Sequence, residues 1–190
     1  MRQTDVKKLI SNVPSRLEAI KTTVRSIKRD DLDAICAIEK QCFEHPWSKE
    51  AFLSHLRKLD CGILTAIQNK QTVGYLVFQR GQDFIEIQKI AVDYLYRRCN
   101  VGRALVKSLT QRMEGTTSKL SLTVPERNLD AQLFFQNLGY QAVAILRDSS
   151  TEITEDSYIM ESEYISSEPE TVELEDVRPF PIKLIVRNAS

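Results

Sequence analysis

Between Arg97 and Ala104 the chain reads Arg97-Arg98-Cys99-Asn100-Val101-Gly102-Arg103-Ala104, a turn set between a strand-like run and a helical one. Consecutive backbone N–H groups and the positive end of the following helix can cradle a pyrophosphate in such a turn. Main chain does the binding, so small or φ-permissive residues are required. Gly102 lets the backbone approach an anion closely, and Asn100 tolerates left-handed angles. Arg97, Arg98 and Arg103 add positive charge, while Cys99, Val101 and Ala104 complete the segment. Taken alone, the pattern is also that of an ordinary turn carrying solvated arginines.

A second candidate precedes it. In Phe84-Ile85-Glu86-Ile87, strand alternation places Glu86 on the same face as Ile90 and Val92, and a carboxylate among apolar neighbours suits a general base. The other reading is a solvated strand glutamate facing a lysine. Trp47 and Phe52 can line a pocket for an amine or pack between two helices. Asn128 is placed to cap a helix. His45 can bind substrate or stand solvated in its loop, and Cys99 reads as incidental.

These residues need elements to hold them. Thr22 to Lys28 alternates as a strand, and Asp30 can cap a helix whose apolar face is Leu32, Ile35, Cys36, Ile38, Cys42 and Phe43. Ser48 caps a shorter helix reaching Arg57. Runs 62–68, 72–80 and 84–92, joined by polar turns, read as an antiparallel meander. Val101, Ala104, Leu105, Ser108, Leu109 and Met113 mark a helix face, 119–124 a strand, and Ala131, Phe134, Phe135 and Leu138 a helix ending at Gly139. Strands over 140–148 and 157–165 close the pattern. The expected fold class is α/β (α+β), a mixed, mostly antiparallel sheet with helices on both faces. Residues 1–21 form an extension, expected to be helical but interrupted by Pro14. Residues 166–190 form an acidic linker and tail, in which 177–186 can add an edge strand or form an ordered tail.

Composition narrows the function. A chain of 190 residues with 42% apolar content suits one globular domain with short tails. No run approaches the roughly 20 apolar residues of a membrane span, and Met1 to Asp5 lack the apolar run of a secretory signal, so a cytoplasmic protein without membrane contact is expected. Twenty-six basic and 26 acidic residues give no field for nucleic acid. The charge is uneven, with eight Lys/Arg against Asp5 and Glu18 in residues 1–29, and ten acidic residues without a base in 152–176. The acidic end can attract the basic end or a basic substrate. Four cysteines without a CxxC pair and only two histidines give no pattern for a metal site, so none is expected.

With Ile90-Ala91-Val92-Asp93 before it and Ala104-Leu105 after it, the turn resembles the CoA-binding motif R/Q-x-x-G-x-G/A of the GNAT acetyltransferase family, with Asn100 where glycine is usual. His45-Pro46-Trp47-Ser48 and Asn128-x-x-Ala131 with Phe134-Phe135-Gln136-Asn137-Leu138-Gly139-Tyr140 resemble the bacterial branch that acetylates ribosomal-protein N-termini. The resemblance runs from about Val24 to Met160. It implies acetyl-CoA as co-substrate, pantetheine pairing along the backbone of Ile90 and Val92, a cofactor contact from Asn128, and Trp47 and Phe52 near the acceptor. It also implies a base and an acid at the positions of Thr123 and Phe135, neither of which can serve. The segment around Glu86 resembles the histone-acetyltransferase strand that carries that branch's base. An α-amine, with pKa about 7.7–8.0, is roughly a tenth neutral at pH 7, whereas a lysine at about 10.4 is neutral to less than one part in a thousand. The reading is therefore transfer to a protein N-terminus. Transfer to lysines or small amines, or a CoA-binding sensor without chemistry, stay open.

Overall fold

The computed structural model describes residues 21–112, 119–147 and 156–163 and the backbone of 185–186. The helix expected over residues 1–20 and most of the acidic tail lie outside them.

Strand β1 (Thr23–Ser26) leads through a 3-10 turn (Arg29–Asp31) into helix α1 (Leu32–Cys42). The carboxylate that organises this entry is Asp31, not Asp30. It accepts the Lys28 N–H at 2.7 Å, a two-pronged grip from Arg25 at 2.6 and 2.9 Å, and the Thr72 hydroxyl at 2.9 Å. Helix α2 (Lys49–Leu56) starts where expected, with Ser48 Oγ accepting the Ala51 N–H at 3.2 Å. The meander is β2 (Cys61–Gln68), β3 (Gln71–Arg80) and β4 (Phe84–Val92), followed by α3 (Val101–Arg112), β5 (Lys119–Pro125), α4 (Leu129–Gln136), β6 (Gln141–Leu146) and β7 (Ser157–Glu163). The two-residue β8 (Ile185–Val186) lies parallel to β6 at the edge of the sheet.

The sheet order is β1-β2-β3-β4-β5-β7-β6-β8, antiparallel except at β4–β5 and β6–β8. Both faces are covered at the centre of the sheet because β2, β3 and β4 carry apolar side chains in both directions. Ile35, Ile38 and Phe52 pack with Ile63, Tyr75, Val77 and Ala91 on one face. Val101, Leu105, Leu109 and Phe135 pack with Leu64, Leu76, Ile85, Ile87, Leu122 and Val124 on the other.

Two features of this sheet make a site. Pairing of β4 with β5 runs from Phe84↔Lys119 to Ile87↔Leu122 and stops there. Beyond it β4 stays with β3 up to Val92↔Gly74, and β5 stays with β7 up to Pro125↔Ser157. The strands splay into a fork, and the inner edge of β4 keeps backbone groups that no ladder uses. The second feature is a bulge. Val77 pairs with Lys89 and Phe78 with Ile87, which leaves Gln88 as the extra residue.

Candidate active site

The bulge sets which side chains share a face. Ile85 and Ile87 belong to the core under α3 and α4, and Ile90 and Val92 pack against that same core, although 87 and 90 differ by an odd number. Glu86 therefore lies on the opposite face from Ile90 and Val92, which corrects the alternation expected from sequence. Uninterrupted alternation assumes one partner residue per residue, and Gln88 breaks that count.

On its actual face Glu86 lies opposite Gln79 on β3 and beside Ser121 on β5. No lysine stands across from it, as the solvated reading had it. Thr123, exposed, is on this face too, because Leu120, Leu122 and Val124 fill the other. Glu86 sits two strand rows short of Thr123, roughly 7 Å along the sheet, just below the mouth of the fork. Beside it Gln88 Nε2 donates to Gln79 Oε1 at 2.7 Å, and Gln79 Nε2 donates to Asp60 at 2.7 Å.

The Asp93 N–H donates to Val73 O at 3.0 Å. In an antiparallel ladder every second residue then faces β3 and those between face away, so the amides of Ile90 and Val92 and the Ile90 carbonyl point to the open edge, while Val92 O accepts from the Arg97 and Cys42 side chains. Past Val92 a short 3-10 turn (Tyr94–Tyr96), held by Asp93 Oδ1 accepting the Leu95 N–H at 2.9 Å, leads into the turn before α3. Asn100 has φ +59°, the left-handed conformation expected of it, and Arg98 has φ +62°, which sequence gave no reason to expect. Such residues, alternating with ordinary ones, swing successive N–H groups to one concave side. Ala104 N is the first donor into α3, bonding Asn100 O at 3.0 Å. The N–H groups of Val101, Gly102 and Arg103 precede it and face the helix N-terminus.

Gly102 is required for a second reason. A Cβ there would come within 3.0 Å of the Phe134 ring, so its smallness also seats α4 beside the start of α3. Arg98, Cys99 and Arg103 are exposed along the turn. Arg97 is turned back instead. Its Nε donates to Val92 O at 3.3 Å and Nη2 to Cys42 Sγ at 3.3 Å, which ties the turn to the end of α1. Asn128 caps α4, Oδ1 accepting the Ala131 N–H at 3.1 Å, and stands exposed just past the end of β5.

On the other face the Trp47 ring is half-buried against Phe52 at 5.4 Å and His55 at 5.6 Å. Phe52 is 0% exposed and meets Tyr75 edge-on, so it supports the tryptophan and cannot line an acceptor pocket as expected. Burial holds His55 below its ordinary pKa, outweighing its contact with Phe78 O. Sequence reasoning passed over the most heavily bonded group nearby. Glu39 of α1 is fully buried and accepts the Trp47 N–H at 2.9 Å, the Tyr75 hydroxyl and the Lys89 ammonium. A glutamate on the buried side of a helix was the one available signal. On the core side, Phe135 is buried, and Tyr140 packs 5.1 Å from it with a hydroxyl that has no hydrogen-bond partner among the described residues. Burial pushes that phenol well above its usual range.

An edge of strand amides without partners among the described residues, running into a turn whose N–H groups lie at a helix N-terminus, suits an extended ligand with an amide-bearing arm and a phosphorylated end. The comparisons with known proteins agree. The model of the acetyltransferase (GNAT) family matches residues 32–140. The chain is 30% identical over 141 residues, 73% of its length and 95% of the relative's, to the [ribosomal protein bS18]-alanine N-acetyltransferase of Escherichia coli K12. It is 24% identical over 152 residues, covering 73% and 90%, to an N-alpha-acetyltransferase of Saccharolobus solfataricus. The crystal structure of the ribosomal-protein-S18-alanine N-acetyltransferase from E. coli superposes with a TM-score of 0.67 at 28% identity, over 81% of this chain and all of that one. Because the match extends from α1 to the residue before β6 and takes in both strands of the fork, the chain belongs to the acetyltransferase (GNAT) family.

Proposed function

We propose that this N-acetyltransferase moves the acetyl group of acetyl-CoA directly onto the α-amine of a protein N-terminus, a ribosomal protein being the first candidate. The observation that supports this best is the fork: β4 offers the backbone of Ile90 and Val92 to the arm of the thioester, and the turn from Arg98 to Arg103 receives the phosphates. The acceptor then reaches the fork from the face of α1, α2 and Trp47. Acetyl-CoA supplies the acyl group, and the chain holds it, excludes water and receives the amine.

The chemistry of the fork favours an α-amine. Thr123 and Phe135 offer no titrating group, and a tenth of an α-amine is already neutral at pH 7, against less than a thousandth of a lysine. Glu86, one row below the fork on the acceptor side, is placed to take the proton through a water molecule. We assign the transferase to residues 22–165, with 1–21 and 166–190 as appendages, in a cytoplasmic protein. Among the described residues no helix is long and apolar enough to cross a membrane.

A thiol-release screen over peptides with free N-termini, blocked peptides containing lysine, and polyamines tests this reading. Release with the free N-termini alone, with the mass gain on the first residue, is expected. Release with lysines or polyamines alone would overturn it. Stabilisation by acetyl-CoA without release on any amine would instead make the chain a CoA-binding sensor.

A further inference from the structure

We propose that Lys89 selects the acceptor, its ammonium recognising a carboxylate, or more weakly a hydroxyl, on the first side chain of the substrate. This rests on the N-terminal reading above and names the substrate class within it.

Lys89 is the first β4 residue past the bulge, pairs with Val77, and lies beyond the last β4–β5 pair, so its side chain leaves the sheet at the mouth of the fork. It lies on the acceptor face, where its ammonium is 3.9 Å from the centroid of the Phe43 ring and 5.0 Å from that of Trp47. Its counter-ion is Glu39. The two ends of this ion pair differ in access, because the Lys89 side chain is 13% exposed and that of Glu39 is 0%. An arriving chain end therefore meets the positive end of the pair.

The hydrogen bonding is unequal in the same sense. Glu39 keeps the Trp47 N–H and the Tyr75 hydroxyl whatever Lys89 does. An ammonium has three donors, and among the described residues Lys89 uses one, on Glu39. Two donors at a partly desolvated cation, flanked by aromatic rings, remain for a ligand. A carboxylate placed there gains a charge-assisted bond while Glu39 stays satisfied. A basic first residue meets the ammonium before the Glu39 carboxylate, which lies buried behind it. The flanking rings of Phe43 and Trp47 keep the ammonium from swinging away from the mouth.

Trp47 is the only tryptophan of the chain, so its emission reports binding beside Lys89 independently of turnover. The test uses the full-length protein saturated with CoA for emission and with acetyl-CoA for thiol release. The probes are peptides identical except for a first residue of Asp, Ser, Ala or Lys. Wild type is expected to favour the Asp peptide over the Lys peptide about tenfold in both readouts, the low end of what a hydrogen bond to a charged group contributes, with Ser between them. Lys89→Met strands a buried carboxylate and can fail to fold, so the Lys89→Met/Glu39→Gln double variant, which removes both charges, carries the comparison. It should bring the Asp-to-Lys ratio close to one, while Lys89→Arg keeps it. Acetylation of all four peptides without this ranking, or with the same ranking in the double variant, would overturn the assignment and leave the N-terminal reading standing. Acetylation of none of their α-amines alongside turnover of N-terminally blocked lysine peptides would overturn both.

Discussion

The left-handed turn before α3 gives a prediction whose size follows from the backbone. Asn100 holds φ +59° and Arg98 φ +62° within three residues. For an ordinary L-residue that conformation costs about 1–2 kcal/mol, asparagine and glycine being the exceptions. Asn100→Val puts a β-branched side chain where φ must be positive, and adds about that cost to the conformation whose N–H groups converge. The free chain can relax by letting the turn open, and a ligand that needs it closed then has to restore it. At about 1.4 kcal/mol per tenfold, CoA should bind roughly five- to thirtyfold more weakly. Asn100→Gly removes the backbone cost at the price of a looser free turn, so its affinity should stay within about threefold of wild type. Calorimetric titration of the three proteins with CoA measures this, with thermal unfolding run alongside to show that each is folded. A folded Asn100→Val protein that binds CoA as tightly as wild type would refute the idea that this turn's conformation is what grips the phosphates.

Three further outcomes follow. Asp31→Asn should destabilise the fold by about 2–3 kcal/mol, since the grip from Arg25 and the Lys28 N–H loses its charge in a buried site. Burial alone would raise the Asp31 pKa, but the Arg25, Lys28 and Thr72 contacts outweigh it and hold it below the ordinary value of 3.8. Its stabilisation is therefore complete above that value and is lost as pH falls through the depressed folded pKa, and urea titrations at pH 7 and pH 3 should show the Asn variant's deficit shrinking. Tyr140→Phe removes a buried hydroxyl without a partner, so it should leave stability unchanged or raise it by about 1 kcal/mol; a melt and a turnover assay check this, and a large fall in kcat would mean that the hydroxyl donates a proton in the reaction. Glu86→Gln should cut kcat/KM about a hundredfold or more, whereas an unchanged kcat/KM would dismiss Glu86 as the base.

Much of the architecture was legible because its signals are local. Helix faces such as Leu32, Ile35 and Ile38, the Ser48 cap and the polar turns of the meander all act over a few residues, and Asn100 revealed its backbone conformation through its own chemistry. What was missed depends on partners distant in sequence. The bulge at Gln88 exists only in the register between β3 and β4, and it carried Glu86 to the other face. Lys89 and Glu39 lie 50 residues apart, so their pair is visible only once α1 is laid across β4. Phe52 read as a pocket residue because burial depth depends on what covers a ring, here Trp47 and Tyr75. The role of Gly102 in seating Phe134 likewise needed the packing of α3 on α4.

Hydrogen exchange of the full-length protein with and without acetyl-CoA tests the central claim most directly. Amides from Gln88 to Val92 and from Arg98 to Arg103 should slow markedly when the thioester is added, with the paired rows Ile85 to Ile87 little changed. Protection that leaves both stretches untouched, or that falls on the β6–β7 side of the sheet instead, would contradict the account.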